Sequence, residues 1–207
     1  MELATTCIDR QIEALTNLHD VIRTPEYKQV LDMVCRVAKD NYASRVMVAG
    51  VGKNSNIASK ISETMASLGV PSFYLNVSHC GHGDFGMVGP RDIILHISRS
   101  GTTAEMVQAI RHLRSIRPHV GQVLIHCKKD KPPEPAVDVE LFIGAVVEGD
   151  EFGLAPTTST TALLCILDTI SVQASHAIGF ERMDFLKYHP SGALGEMLKA
   201  ESAGLTK

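Results

Sequence analysis

The chain has 207 residues, 20 Lys and Arg against 23 Asp and Glu, a formal net charge of −3, and 44% hydrophobic against 21% charged residues. That length makes about one domain and buries a core without staples, and its balance of charge leaves no broad basic face, which argues against nucleic acid as a partner. Five scattered cysteines (Cys7, Cys35, Cys80, Cys127, Cys165) form no Cys-x-x-Cys pair and point to reduced thiols in a cytoplasmic protein. The acidic N-terminus lacks the basic-then-apolar pattern of a secretory signal, and the longest apolar run, "ALLCILDTISV", is interrupted by Asp168 and too short to span a bilayer, so no membrane partner is expected.

Along the chain, Ile8, Ile12, Leu15, Leu18 and Ile22 recur at helical spacing over 3–22, and Thr24-Pro25 supplies an N-cap and first turn for a second helix running to about Asp40. Short apolar runs follow, each leading into a polar or glycine-rich loop. "RVMVAG" (45–50) leads to a helix with Ile57, Ile61, Met65 and Leu68, and "SFYLNV" (72–77) leads to "SHCGHGDFGMVGP". "DIILHIS" (92–98) leads to a helix with Met106, Ile110 and Leu113, and "QVLIHC" (122–127) to the proline-rich connector "KKDKPPEPAVD", expected as a surface loop. "VDVELFIG" (137–144) precedes a segment, 157–178, that is apolar nearly all round and is either a central core helix or a helix at a subunit interface. Five strands alternating with helices predict an α/β fold with a parallel sheet covered on both faces, preceded by a helical pair.

In such a sheet the loops at the strand C-termini meet where helix N-termini offer free N–H groups and partial positive charge. "HISRSGTTAE" (96–105) is one such loop, with Ser98, Ser100, Thr102 and Thr103 ahead of a helix. An N-cap needs one hydroxyl; four in six positions favour an anion such as phosphate. "GVGKNSN" (50–56) fits neither the dinucleotide nor the P-loop pattern, although Lys53 stands where it can pair with a phosphate or act as acid or base. "APTTSTTA" (155–162) is a second hydroxyl-rich helix start, whose threonines either line a sugar or bond back to their own helix. Glu148, Asp150 and Glu151 sit just upstream. "HCGHGD" (79–84) brings His79 and His82 within reach of an adventitious or inhibitory metal, but its glycines favour a loop and no fourth ligand follows, so no metal is required.

Six of these segments, in order, resemble the sugar-isomerase (SIS) domain: "GVGKNSNIASK", "ASLGVPSFYLN", "HGDFGMV", "ISRSGTTAE", "GLAPTTSTTA" and "HPSGALGEML". The fifth and sixth are specifically similar to the arabinose 5-phosphate isomerases of bacterial Kdo (3-deoxy-octulosonate) synthesis. The resemblance implies a flavodoxin-like three-layer sandwich with a five-stranded parallel sheet. It also implies N-terminal helices over 1–42 packing on an SIS domain over 43–200 with a tail at 201–207, and a homotetramer whose sites are shared between subunits. The implied reaction interconverts D-arabinose 5-phosphate and D-ribulose 5-phosphate, feeding lipopolysaccharide or capsule, with CMP-Kdo admitted as a regulator. By position within the matching blocks, Lys53, Glu105, Glu148 (with Glu151 as the fallback) and His189 are the implied catalytic residues. Gly52, Ser55, His82, Ser98, Arg99, Ser100, Thr103, Thr157, Thr158, Ser159 and Thr160 are the implied substrate contacts. Arg99 stands where the family has a neutral amide, which predicts firmer phosphate binding, and "GKNSN" replaces "GKSG". The resemblance stops soon after "HPSGALGEMLK", where the common form continues into paired CBS domains, so a stand-alone SIS form is expected.

Aldose–ketose isomerisation passes through an enediolate and needs a base, a group facing the developing oxyanion and a phosphate anchor, but no organic cofactor. His189 or Glu148 is expected to move the proton, Lys53 to stabilise negative charge, and Glu105 to orient Lys53 or the sugar hydroxyls. The rival readings are an isomerase for another sugar phosphate, such as sedoheptulose 7-phosphate, and a sugar-phosphate sensor without turnover.

Overall fold

The computed structural model describes residues 2–202 and 204, and of the expected 201–207 tail, residues 203 and 205–207 lie outside the described residues. Five strands, β1 (Val46–Gly50), β2 (Ser72–Asn76), β3 (Ile93–Ser98), β4 (Gly121–His126) and β5 (Val139–Phe142), form one parallel sheet in the order β2-β1-β3-β4-β5. This is the flavodoxin-like order. Every residue of β1 and β3 is buried, because helices cover both faces and an unbroken apolar strand is stable only between two such layers.

On one face, Val46, Val48, Leu95, Val123 and Leu141 pack beneath α1 (Glu2–Val21), α2 (Pro25–Ala38), α3 (Lys53–Ser67) and α6 (Thr158–Ala177). On the other, Met47, Ala49, Ile94 and Leu124 pack beneath α4 (Val77–Cys80) and α5 (Ala104–Ile116). The helical pair therefore forms part of one sandwich layer. Helix α6 contacts α1, α2 and α3, which accounts for its near-uniform apolarity, although Val172 on its outer side stays exposed. Two short helices not predicted from the sequence, α7 (Arg182–Tyr188) and α8 (Gly192–Ser202), pack against each other at the end of the fold.

One local expectation is corrected. "HCGHGD" is not a plain loop: Asn76 accepts a hydrogen bond from Ser78 N at 3.0 Å, capping the single turn of α4, and a 3-10 turn follows over Asp84–Met87. Side-chain capping outweighs the two glycines here. No single helix among the described residues is long and apolar enough to cross a membrane.

Candidate active site

The strand order reverses between β1 and β3, so a crevice opens beyond their C-terminal ends. Gly50 at the end of β1 is in register with Ile97 of β3, and Ser98 with His126 of β4. The loops leading to α3 and α5 therefore leave from neighbouring points on one edge. Gly52 (φ +62) caps α3 and Lys53 is its first residue, exposed to solvent. The Ser55 hydroxyl bonds back to the Gly52 carbonyl at 2.7 Å, which holds this turn shut.

The hydroxyl loop is built around Ser98. Its buried Oγ accepts from Gly101 N at 3.0 Å and shares a 3.1 Å hydrogen bond with Thr103 Oγ1, while Ser100 Oγ accepts from Thr102 N at 3.2 Å. Gly101 has φ +65, a backbone conformation that favours glycine, and the Lys131 methylenes lie close over it. Thr103 is the N-cap of α5, and among the described residues no side chain bonds the first-turn N–H groups of that helix, a donor arrangement of the kind that suits an anion. Glu105 is exposed on the first turn of α5 and opens onto a cavity of about 700 Å³ shared with Ser78, Gly83, Phe85, Gln108 and His112. Lys53 and Glu105 form no ion pair in the described residues, so orientation of Lys53 by Glu105 has no support in this geometry.

The second hydroxyl-rich start is tied to Glu148. Glu148 is fully buried and its carboxylate closes the N-terminus of α6: Oε2 accepts from Thr157 N (2.9 Å) and Ser159 N (3.1 Å), and Oε1 from Ser159 Oγ (2.5 Å). A carboxylate in that position satisfies orphan donors and meets the positive end of the helix dipole. Thr157 Oγ1 accepts from Gly149 N (2.7 Å), Thr160 Oγ1 donates to Thr157 O (2.8 Å), and Thr158 is buried. Thr160 thus bonds back to its own helix, whereas Thr158 Oγ1 is buried with no hydrogen-bond partner among the described residues. Glu151 is exposed and Asp150 accepts from the N–H groups of Leu154 and Ala155 at 2.8 Å each, so Glu148 is the carboxylate built into the edge.

Arg99, within the hydroxyl loop, pairs with Glu148, its Nε 2.9 Å from Oε1. Behind it, Cys127 donates its N–H to Arg99 O at 3.0 Å, and burial, with Glu148 nearby, pushes its thiol up to about 12, so it stays protonated.

His189 is not brought to this edge. It follows α7, stacks on Phe185 with ring centres 3.8 Å apart, and its Nδ1 lies 3.0 Å from Phe185 O. Phe185 lines a groove with Val172, Ser175 and His176 near the C-terminal end of α6, and Tyr188 bonds Tyr42, which precedes β1. The 20 residues of α6 span about 30 Å, so within one chain His189 and Glu148 lie at opposite ends of a helix. His79 sits 3.9 Å from Asp84 and His82 is exposed, and among the described residues no three His, Cys, Asp or Glu side chains gather to hold a metal.

Two contributors went unnoticed in the sequence. Arg10 of α1 donates from Nη1 to the carbonyls of Glu148 (2.5 Å) and Asp150 (3.1 Å). Lys131, its side chain almost wholly buried, presses its methylenes on Gly101 while Nζ pairs with Glu140 at 2.6 Å. Neither carries a local signal, since each acts on a loop distant in sequence.

A flavodoxin-like parallel sheet with a hydroxyl-rich loop at its switch point defines an α/β domain of the doubly wound class, and residues 41–172 match the family described as SIS domain; the chain belongs to that family. It is 41% identical over 154 residues to the arabinose 5-phosphate isomerase KdsD of Shigella flexneri, covering 74% of this chain and 46% of the relative. It is 33% identical over 188 residues to the arabinose 5-phosphate isomerase KpsF of Escherichia coli O6:H1, covering 91% of this chain and 55% of the relative. The chain thus spans about half the length of the curated relatives it matches. An E. coli CFT073 protein solved in complex with arabinose 5-phosphate superposes with TM-score 0.79 at 29% identity, over 91% of this chain and 96% of that one.

Proposed function

We propose that this protein is an aldose–ketose isomerase that interconverts D-arabinose 5-phosphate and D-ribulose 5-phosphate, supplying Kdo synthesis for lipopolysaccharide or capsule in the cytoplasm. The observation that carries the reading is the difference between two helix starts on one edge: α6 is closed by the Glu148 carboxylate, whereas α5 keeps its N–H groups free beside Ser98 and Thr103. A phosphate fits the second and not the first. The identities to KdsD and KpsF, and the relative solved with arabinose 5-phosphate, support that sugar in this reading.

In this reading the α5 start, Ser98, Ser100 and Thr103 anchor the phosphate, with Lys53 facing the crevice from the adjacent loop. Gly52 and Ser55 shape the Lys53 turn, and Thr157, Thr158, Ser159 and Thr160 form the wall behind Glu148. Glu105 and His82 border the sugar from the side of the 700 Å³ cavity. Removal of the C2 proton of the aldose and its return to C1 falls to His189 more readily than to Glu148, because both Glu148 oxygens already accept hydrogen bonds. Its position near the far end of α6 supports a reading in which a neighbouring subunit supplies it, as in a homotetramer with shared sites. Support for assembly comes from apolar side chains left in solvent, among them Ile8 and Ile12 of α1, Phe152 (78% exposed) and Leu154 (73%). CMP-Kdo enters as a regulator through the same pathway, and no organic cofactor takes part.

Incubation with D-ribulose 5-phosphate in deuterated water tests this. Deuterium at C2 of newly formed D-arabinose 5-phosphate is the expected result. Calorimetric binding without exchange would replace the enzyme by a sensor, and turnover of sedoheptulose 7-phosphate alone would replace the substrate.

A further inference from the structure

We infer that Arg99 contacts the substrate at its reacting end, as the group that stabilises negative charge on the sugar oxygens, and that Glu148 acts through Arg99 as a positioning residue. The inference rests on the isomerase reading above.

Three observations carry it. First, Arg99 and Glu148 form a pair in which only one member meets solvent: the Arg99 side chain is 44% exposed and that of Glu148 is 0%. The negative partner is buried against the α6 start, so the charge shown to the crevice is positive. Second, Glu148 is enclosed and engaged within the fold: its side chain is 0% exposed, its oxygens accept from Thr157 N, Ser159 N and the Ser159 hydroxyl, and Oε1 pairs with Arg99 Nε. Third, Arg99 is fixed through Nε alone. A guanidinium has five N–H donors in a rigid fork, and no other described residue bonds those on Nη1 and Nη2, so a planar pair of donors is held ready beside the crevice.

The position of the fork decides its ligand. In the isomerase reading the phosphate end is served by Ser98, Thr103 and the α5 start, and Arg99 is paired with the carboxylate that closes the α6 start. When the base takes the C2 proton of the aldose, the C–H electron pair forms the C1–C2 double bond and the carbonyl pair moves to O1. Protonation at C1, with the O2 proton passing to O1 as the C2–O2 double bond forms, then gives the ketose with no net oxidation. Arg99 donates hydrogen bonds to O1 and O2 throughout and transfers no proton. Donors aimed where charge develops act on turnover more than on binding.

The test compares Arg99→Gln, Glu148→Gln and the double variant with wild type, using D-arabinose 5-phosphate as substrate and inorganic phosphate as competitive inhibitor. We expect Arg99→Gln to lower kcat on the order of 100-fold while leaving inhibition by phosphate unchanged. Glu148→Gln should cost a comparable factor that vanishes in the Arg99→Gln background, since both act as one unit, and added guanidinium ion should partly restore Arg99→Ala. Arg99→Lys, which keeps the charge for Glu148 but offers no second fork, carries the same test should the glutamine variant not fold. Wild-type turnover with weakened phosphate inhibition and unchanged kcat in Arg99→Gln, or multiplicative losses in the double variant, would overturn this inference alone. A wild type without turnover would overturn the isomerase reading and this inference with it.

Discussion

At the scale of single residues, the structure separates polar groups that serve the site from those that serve the core. His96 in β3 is buried, and its Nε2 lies 2.9 Å from Gln122 Oε1. Gln122 spends its amide hydrogens on the carbonyls of Ile110 and Ala136, so its oxygen accepts and His96 Nε2 carries the proton. Nδ1 then has no partner among the described residues, and burial pushes the imidazole down to about 4 from its ordinary 6.5. The folded protein therefore holds His96 neutral while the unfolded chain takes a proton below pH 6.5. Its contribution is complete above 6.5 and lost as pH falls toward 4, about 2 kcal/mol of it between pH 7 and pH 5. Denaturant titrations at those two pH values should show a loss of this size in wild type and a smaller one in His96→Gln; equal losses would refute the assignment. The residue types at the site were legible because hydroxyls and glycines cluster locally in "SRSGTT". The donors to Glu148 were not, because Arg99 and Ser159 lie 49 and 11 positions away and only the folded edge brings them together.

At the scale of elements, α1 reaches over the sheet edge and braces the loop that carries Glu148. Arg10 holds two of its carbonyls, and Cys7 Sγ packs so closely on Gly149 that a Cβ there would overlap it, with Thr157 Oγ1 at 3.0 Å on the other side. Gly149→Ala should destabilise by about 1–3 kcal/mol, the usual cost of overpacking, and Cys7→Ala should recover part of that loss. An alanine variant as stable as wild type in chemical denaturation would show that the loop gives way freely. The five strands were legible because buried parallel strands are continuous apolar runs, and the long helices because their apolar residues recur at three and four. Short elements escaped: α4 depends on a single Asn76 cap, and α7 and α8 are too brief for periodicity to separate from loop.

At the scale of the whole molecule, one chain supplies the anion loop, Lys53 and the Arg99–Glu148 pair at one edge but keeps His189 near the far end of α6. Nothing in the sequence shows this separation, since a motif order places residues along the chain and not across an assembly. The central claim is a sugar-phosphate isomerase site completed by a second subunit, and subunit mixing tests it most directly. Lys53→Ala and His189→Asn, each nearly inactive alone, are unfolded together, refolded and assayed with D-arabinose 5-phosphate. If sites are shared reciprocally between two subunits, half the pairs are mixed and one of their two sites is intact, so activity should return to about a quarter of wild type. A mixture no more active than its two components would contradict the account.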